Sequence, residues 1–260
     1  RRLAAARRAL GLDAEYRRLV TLRLRKFTCP RGLCIIAFSG SKDAFAVIIS
    51  HRHKFIFFAV PKTGTHSVRQ ALRAHMGEGD LEQVGLFVKK RFPFPEFRNI
   101  THGHINARQI RTVLGDEIFA GYFKFAFVRN PFDRFVSYCA FMGRDGGFAA
   151  DPRAYMGAVI AQAKPPYRLL FLPQSDFLTA DNGRLEMDLV GRTEDMQASY
   201  DGICARLGIA STNLARVNAS SHAHYGQYLE PAMRDWIGTF CARDFEMFNY
   251  SRDMHAAEPA

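Results

Sequence analysis

The sequence predicts an α/β fold with a central, mainly parallel sheet flanked by helices. Two runs carry that expectation. Phe55-Ile56-Phe57-Phe58-Ala59-Val60 and Phe123-Lys124-Phe125-Ala126-Phe127-Val128 are short, apolar and rich in β-formers, as buried strands are. Each leads through a tight turn into a helix start, and the two units lie roughly 65 residues apart. Parallel strands of this kind present both turns at one edge of the sheet. Composition agrees: 260 residues with 48% hydrophobic and 13% aromatic side chains can bury one good core and do not read as disordered. Residues 1–50 are expected to form a basic N-terminal helix with edge strands. Residues 51–255 are expected to form the main domain, the whole being one globule.

Taken in order, residues 1–27 carry Arg1, Arg2, Arg7, Arg8, Arg17, Arg18, Arg23, Arg25 and Lys26. Leu12, Tyr16, Leu19 and Val20 fall at helical spacing, so an amphipathic helix is expected, interrupted by Gly11. It reads as a solvated basic face packed on the domain, with peripheral membrane contact as the alternative. Apolar runs at 33–38 and 44–49 flank Ser39-Gly40-Ser41-Lys42-Asp43 and predict a hairpin or two edge strands.

Pro61 ends the Phe55 strand, because it has no N–H for the ladder. Residues 67–74 read as a helix. Lys62-Thr63-Gly64-Thr65-His66 lies between, so backbone N–H groups gather at the positive end of a helix dipole, a site suited to phosphate. Gly64 lets the backbone approach the ligand, while Thr63, Thr65 and Ser67 add hydroxyl donors. A Walker A loop puts its lysine after the glycines; here Lys62 precedes Gly64, which disfavours a nucleotide triphosphatase.

Residues 76–100 read as a polar and aromatic connection in which Pro93 and Pro95 forbid regular structure. Lys89, Lys90, Arg91 and Arg98 interleave there with Phe87, Phe92, Phe94 and Phe97. Such a pattern lines a groove for a sugar chain or a nucleic acid strand, or else marks a loop pinned by buried rings. In Thr101-His102-Gly103-His104-Ile105 an extended backbone would turn both imidazoles to one side. A histidine near neutral pKa suits removal of a proton from a hydroxyl. Residues 106–114 predict a short helix.

The second unit continues into Arg129-Asn130-Pro131-Phe132-Asp133-Arg134-Phe135-Val136-Ser137-Tyr138. Asn130 suits the N-cap and Pro131 the first helical position. Arg129 offers a fork of donors fitted to phosphate, and Ser137 lies about two helical turns on. Asp133 and Arg134 are expected to form structural ion pairs. Further on, the pattern predicts helices over 155–163 and 194–207, an outer strand over 185–190, and one amphipathic helix over 230–248. The segment 213–228 reads as a polar late loop.

A net charge of +11 attracts polyanions: nucleic acid, anionic lipid, or an anionic sugar polymer and nucleotide. Five scattered cysteines form no C-x-x-C pair, and no His/Cys/carboxylate set gathers in the sequence, so no metal is expected. No run of about 18 apolar residues is present. Arg outnumbers Lys 28 to 8, which suggests a GC-rich bacterial coding sequence and a cytoplasmic protein; a trimmed domain of the Golgi lumen is the runner-up.

The Lys62–Ser67 loop resembles the 5′-phosphosulfate-binding loop of sulfotransferases that use 3′-phosphoadenosine 5′-phosphosulfate (PAPS), especially the carbohydrate O-sulfotransferases. The segment from Arg129 to Tyr138 resembles their 3′-phosphate-binding motif, with Arg129 and Ser137 at its two ligand positions. His102-Gly103-His104 is similar to an element of the heparan 2-O-sulfotransferase-like enzymes that supplies the catalytic base. The resemblance spans roughly residues 52–251. It implies a P-loop-like sulfotransferase fold and PAPS as donor, with adenosine 3′,5′-bisphosphate as product. Lys62 would stabilise the leaving group, and His104 would be the base with His102 in support. Lys62, Thr63, Gly64, Thr65, His66, Ser67, Arg129 and Ser137 would bind the donor, joined by Ser220 and Ser221 from the late loop. The family's usual R-K-G version of that loop is missing. Lys89, Lys90, Arg91 and Arg98 would meet a glycan or polysaccharide acceptor, in keeping with an anionic one. Peptide tyrosine or a lipid-linked acceptor is the nearer alternative, and a basic nucleic-acid-binding protein is the alternative of another class.

Overall fold

The computed structural model describes residues 46–84, 90–162, 168–215 and 224–253. The N-terminal basic segment, the 33–38 run, Lys89, Ser220 and Ser221 lie outside them.

Five strands form one sheet: β1 (Ala46–Ser50), β2 (Phe55–Phe58), β3 (Leu81–Val84), β4 (Phe123–Val128) and β5 (Leu189–Arg192), in the order β3-β1-β2-β4-β5. β2 pairs with β4, and β4 with β5, in parallel, whereas β1 runs antiparallel to both β2 and β3. The sheet is therefore mixed, parallel in the half that bears the two turns and antiparallel in the other. The reason is local. Only four residues join β1 to β2, and a link that short connects antiparallel neighbours alone. Asp80 clamps the link by accepting from Ser50 Oγ (2.7 Å) and from the backbone N–H groups of His51 (2.7 Å) and Arg52 (3.0 Å).

The mainly parallel sheet, the edge placement of 44–49 and the irregular 76–100 connection are expectations that the strand pairing corrects. Residues 46–49 are not at an edge, because β1 lies between β3 and β2, and a boundary at residue 50 would cut that hairpin. The supposedly irregular stretch 76–100 contains β3, whose Leu-Glu-Gln-Val shows no apolar alternation to betray it. Gln83 is buried there because its amide is used: Oε1 accepts from Phe92 N (3.1 Å) and Nε2 donates to His102 O (2.6 Å).

Alternate side chains of the strands feed two cores, one on each face of the sheet. Phe55, Phe57, Phe125 and Phe127 face α1 (Thr65–Arg73) and a later helix, Met196–Leu207, through Val68, Leu72, Tyr200 and Ile203. Ile56, Phe58, Ala126 and Val128 face the larger core. That core is filled by α2 (Ala107–Leu114), α4 (Pro131–Met142), α6 (Pro152–Ala161) and α9 (Pro231–Phe240). The intervening α3 (Asp116–Gly121), α5 (Gly147–Ala150), α7 (Ser175–Leu178) and α8 (the Met196–Leu207 helix), with α10 (Ala242–Met247) at the end, complete the helical layers. The helix expected over 230–248 is two, α9 and α10, with a break at Cys241. The strand expected over 185–190 begins at Leu189.

Capping follows the sequence closely. Asn106 caps α2 with a reciprocal Gln109 bond. Asn130 caps α4 by accepting from Phe132 N, with Pro131 in the first turn.

Candidate functional site at the carboxyl ends of two parallel strands

β2 and β4 are neighbours in register, Phe55 beside Phe123 through Phe58 beside Ala126. Their carboxyl ends therefore open side by side, and the two turns form adjacent mouths.

The first mouth is shaped by backbone. Lys62 (φ 65°) and Gly64 (φ 68°) both take left-handed conformations. For a residue with a Cβ this costs about 1 kcal/mol, so Lys62 is held against its own preference by its surroundings. Gly64 fills the N-cap of α1 with no side-chain cap, so the helix's first N–H groups are not claimed by a capping side chain. A Cβ on Gly64 would stand 2.3 Å from Met196 Cε, so the loop lies hard against α8. Thr63 is buried and donates to Val60 O (3.0 Å). Thr65 and Ser67 are buried in the first turn of α1, and His66 Nδ1 lies 3.4 Å from Arg69.

The second mouth is shaped by long-range side chains. Gln174 is fully buried and grips both ends of the Arg129 peptide unit: its Oε1 accepts from Arg129 N (2.9 Å) and its Nε2 donates to Arg129 O (2.8 Å). Asp244, also fully buried, holds Gln174 N (2.7 Å) and Ser175 N (2.8 Å). Glu194 accepts from Asn130 N (2.6 Å) and from Tyr250 Oη (2.9 Å). Arg129 Nε donates to Asp133 (2.6 Å), four residues on. Asp133 thus pairs with Arg129 itself. Contrary to expectation, Arg134 spends its donors on backbone carbonyls: it is buried and donates to Pro61 O (2.8 Å) and Leu170 O (3.3 Å). Ser137 lies buried farther along α4.

Two side chains stitch the mouths together. Arg134, on the second helix, fixes the carbonyl at the root of the first loop. Thr193, just past β5, has its one hydroxyl proton shared between Val128 O (2.9 Å) and Thr63 O (3.1 Å). Nothing in the sequence around Thr193, Glu194, Gln174 or Asp244 predicts these bonds, since each partner is more than 40 residues away.

Charge converges on Lys62. Its Nζ sits 4.1 Å from the centroid of the Phe141 ring. Burial, and then the positive charges of Arg129, Arg144 and Arg134, lower its pKa to about 7. His104 lies against the same root: it is 2% exposed, and Nδ1 lies 2.5 Å from Ala59 O. A carbonyl only accepts, so Nδ1 carries the proton and the basic lone pair falls on Nε2. Burial, helped by the charges of His102, Arg134 and Lys62, drives its pKa down to about 3. The two imidazoles of the H-G-H segment are not equivalent. His102 is half-buried, its pKa is lowered by desolvation, and its ring meets the backbone of His104.

The basic and aromatic segment separates into two sides. Phe92 and Phe97 are buried and cluster with Phe94, at centroid distances of 5.8–6.2 Å, while Lys90, Arg91 and Arg98 are exposed. Arg91 donates to Arg98 O (2.8 Å).

Among the described residues no group of three or more metal-ligating side chains gathers, and no helix is long and apolar enough to cross a membrane. Residues 46–141 match the sulfotransferase family. That span takes in both mouths and the H-G-H segment, and it supports sulfuryl transfer as the general chemistry. No curated protein and no solved structure matches the chain.

Proposed function

We propose that this protein moves a sulfuryl group from PAPS to a hydroxyl of a carbohydrate acceptor. The observation that carries the reading is the side-by-side placement of Lys62 and Arg129 at the tips of two registered parallel strands. A nucleotide with phosphate at both its 3′ and 5′ ends needs two anion sites at a fixed separation, and the stitched mouths supply a rigid pair.

The donor set fits such a ligand. The first mouth offers loop and helix N–H groups with the hydroxyls of Thr65 and Ser67 for the 5′ end. The second offers the Arg129 guanidinium and Ser137 for the 3′-phosphate. Bound PAPS supplies the sulfuryl group, and the bond that breaks joins its sulfur to the 5′-phosphate oxygen. Lys62 neutralises the charge left on that oxygen, and the surrounding N–H groups act as an oxyanion hole. His104 takes the acceptor proton on Nε2. Its low basicity in the ligand-free protein comes from burial among cations, and negative charge arriving beside Lys62 and Arg134 raises it. His102 supports the segment. Lys90, Arg91 and Arg98 present a cationic outer surface for an acidic glycan. The composition supports a bacterial cytoplasmic setting.

A thermal-shift comparison tests the donor. Adenosine 3′,5′-bisphosphate should raise Tm with no magnesium present, by an amount that grows with its concentration. Stabilisation only by ATP with magnesium, or salt-sensitive nucleic acid binding with no effect of the bisphosphate, would refute the reading. Labelled-sulfate transfer over glycans, tyrosine peptides and lipid-linked sugars then identifies the acceptor.

A further inference from the structure

Phe141 is the residue before the last of α4. One face of its surroundings holds Lys62 Nζ at 4.1 Å from the ring centroid, and the Arg144 guanidinium lies 4.8 Å from the same centroid. Cations within about 6 Å of an aromatic ring are attracted to its quadrupole. Two like charges sharing one ring are also forced near each other.

The turn that carries Arg144 is built to hold it there. The Gly143 carbonyl accepts from both Gly146 N (3.1 Å) and Phe148 N (3.1 Å). A Cβ on Gly143 would come within 2.7 Å of Phe148 N, so only glycine allows so close a turn. Arg144 itself is exposed, at the rim.

We propose that Phe141 and Arg144 are positioning residues for Lys62: the ring seats its ammonium and the neighbouring guanidinium sets its charge, so that arrival of the anionic donor is coupled to uptake of a proton from solvent. This rests on the reading of the mouths as a phosphate and sulfonate cradle. The groups facing Lys62 come from every side. Arg129 stands on the adjacent turn, Arg134 on α4, Arg144 beyond it, and neutral His104 on the H-G-H segment. Of the carboxylates at the second mouth, Asp133 is paired with Arg129, Glu194 accepts from Asn130 N and Tyr250 Oη, and Asp244 holds Gln174 N and Ser175 N. Burial and three cations bring the pKa of Lys62 down to about 7. An entering anion reverses the sign of its surroundings, and Lys62 then holds a full positive charge.

The decisive measurement is an NMR titration of Lys62 in the ligand-free full chain. We expect a midpoint near pH 7. Arg144→Gln should raise it by roughly half a pH unit, Arg144→Lys should restore it, and Phe141→Leu should shift it while the fold stays intact. Calorimetry with adenosine 3′,5′-bisphosphate at pH 8, in buffers of different ionisation enthalpy, should show uptake of about one proton, lost in Lys62→Met. A midpoint in the ordinary lysine range, or one that Arg144→Gln leaves in place, overturns the proposal. If the bisphosphate does not bind at all, the PAPS reading and the coupling both fall. The ligand-free titration still decides whether Phe141 and Arg144 set Lys62.

Discussion

The two mouths have the same strand–turn–helix plan and differ in what holds them. The first is a strained backbone loop with Lys62 and Gly64 left-handed, and its key cation is weakly basic. The second is an ordinary capped helix start whose peptide is gripped by Gln174 and Glu194, and its cation is an arginine already paired with Asp133. A lysine whose pKa is within reach of neutrality can respond to charge that develops during a reaction. An arginine cannot lose its proton, so it serves as a clamp of fixed charge. Under the proposed function, the first mouth would then carry the chemistry and the second the binding.

The sharpest way to break that division is to delete each cation in turn. Lys62→Ala should lower the transfer rate by about a hundredfold or more, with a smaller loss of affinity for adenosine 3′,5′-bisphosphate. Arg129→Ala should do the reverse, raising KM for the donor more than it lowers kcat. Equal losses in kcat and KM from both variants would erase the distinction. His104→Asn, which keeps a donor for Ala59 O, should also cost about a hundredfold in kcat; full activity would remove His104 from the role of base.

A second prediction separates the supports. Gln174→Leu should cost about 2–4 kcal/mol in denaturant unfolding, because it orphans both polar groups of the part-buried Arg129 peptide. Thr193→Val should cost about 1–2 kcal/mol and weaken bisphosphate binding, since it unties the two mouths. If Thr193→Val lowers stability but leaves binding unchanged, the mouths do not depend on that tie.

pH offers a milder probe. If Lys62 receives the leaving oxygen it must be protonated, so kcat/KM for the donor should fall as pH rises through about 7, the free-protein value. Burial lowers the pKa of His104 from the ordinary imidazole value of 6.5 to about 3 in the folded state. The unfolded chain therefore binds a proton that the folded one refuses, and stability should decline as pH falls from about 6.5 towards 3. Thermal melts over that range, compared with His104→Asn, test the sign. The smallest effect expected is Gly64→Ala. A left-handed alanine costs about 1 kcal/mol, and Met196 must move its end methyl from 2.3 Å.

Much of this was legible along the chain. The two apolar runs, Pro61, Gly64, the Asn130-Pro131 start and the Asn106 cap are local signals, and the structure puts β2, α1, β4, α4 and α2 where they point. β3 was not legible, because its Glu82 and Gln83 are buried by an ion pair with Arg73 and by hydrogen bonds to distant backbone, not by apolar alternation. Nor was the break at Cys241, since the apolar spacing runs through it and neither Pro231 nor Gly238 stands at the break, both lying inside α9.

What the sequence determined by itself was the pair of strand–turn–helix units, because strand propensity, proline and glycine conformations and helix caps act within a few residues. Only the tertiary structure decided that Gln174, Thr193, Glu194 and Asp244 would fix those turns relative to each other. It also decided that Lys62 would share an aromatic ring with Arg144 and a root with buried His104. Hydrogen bonds and fields of that kind depend on distance in space and burial, and neither is written in the spacing of residues along a chain.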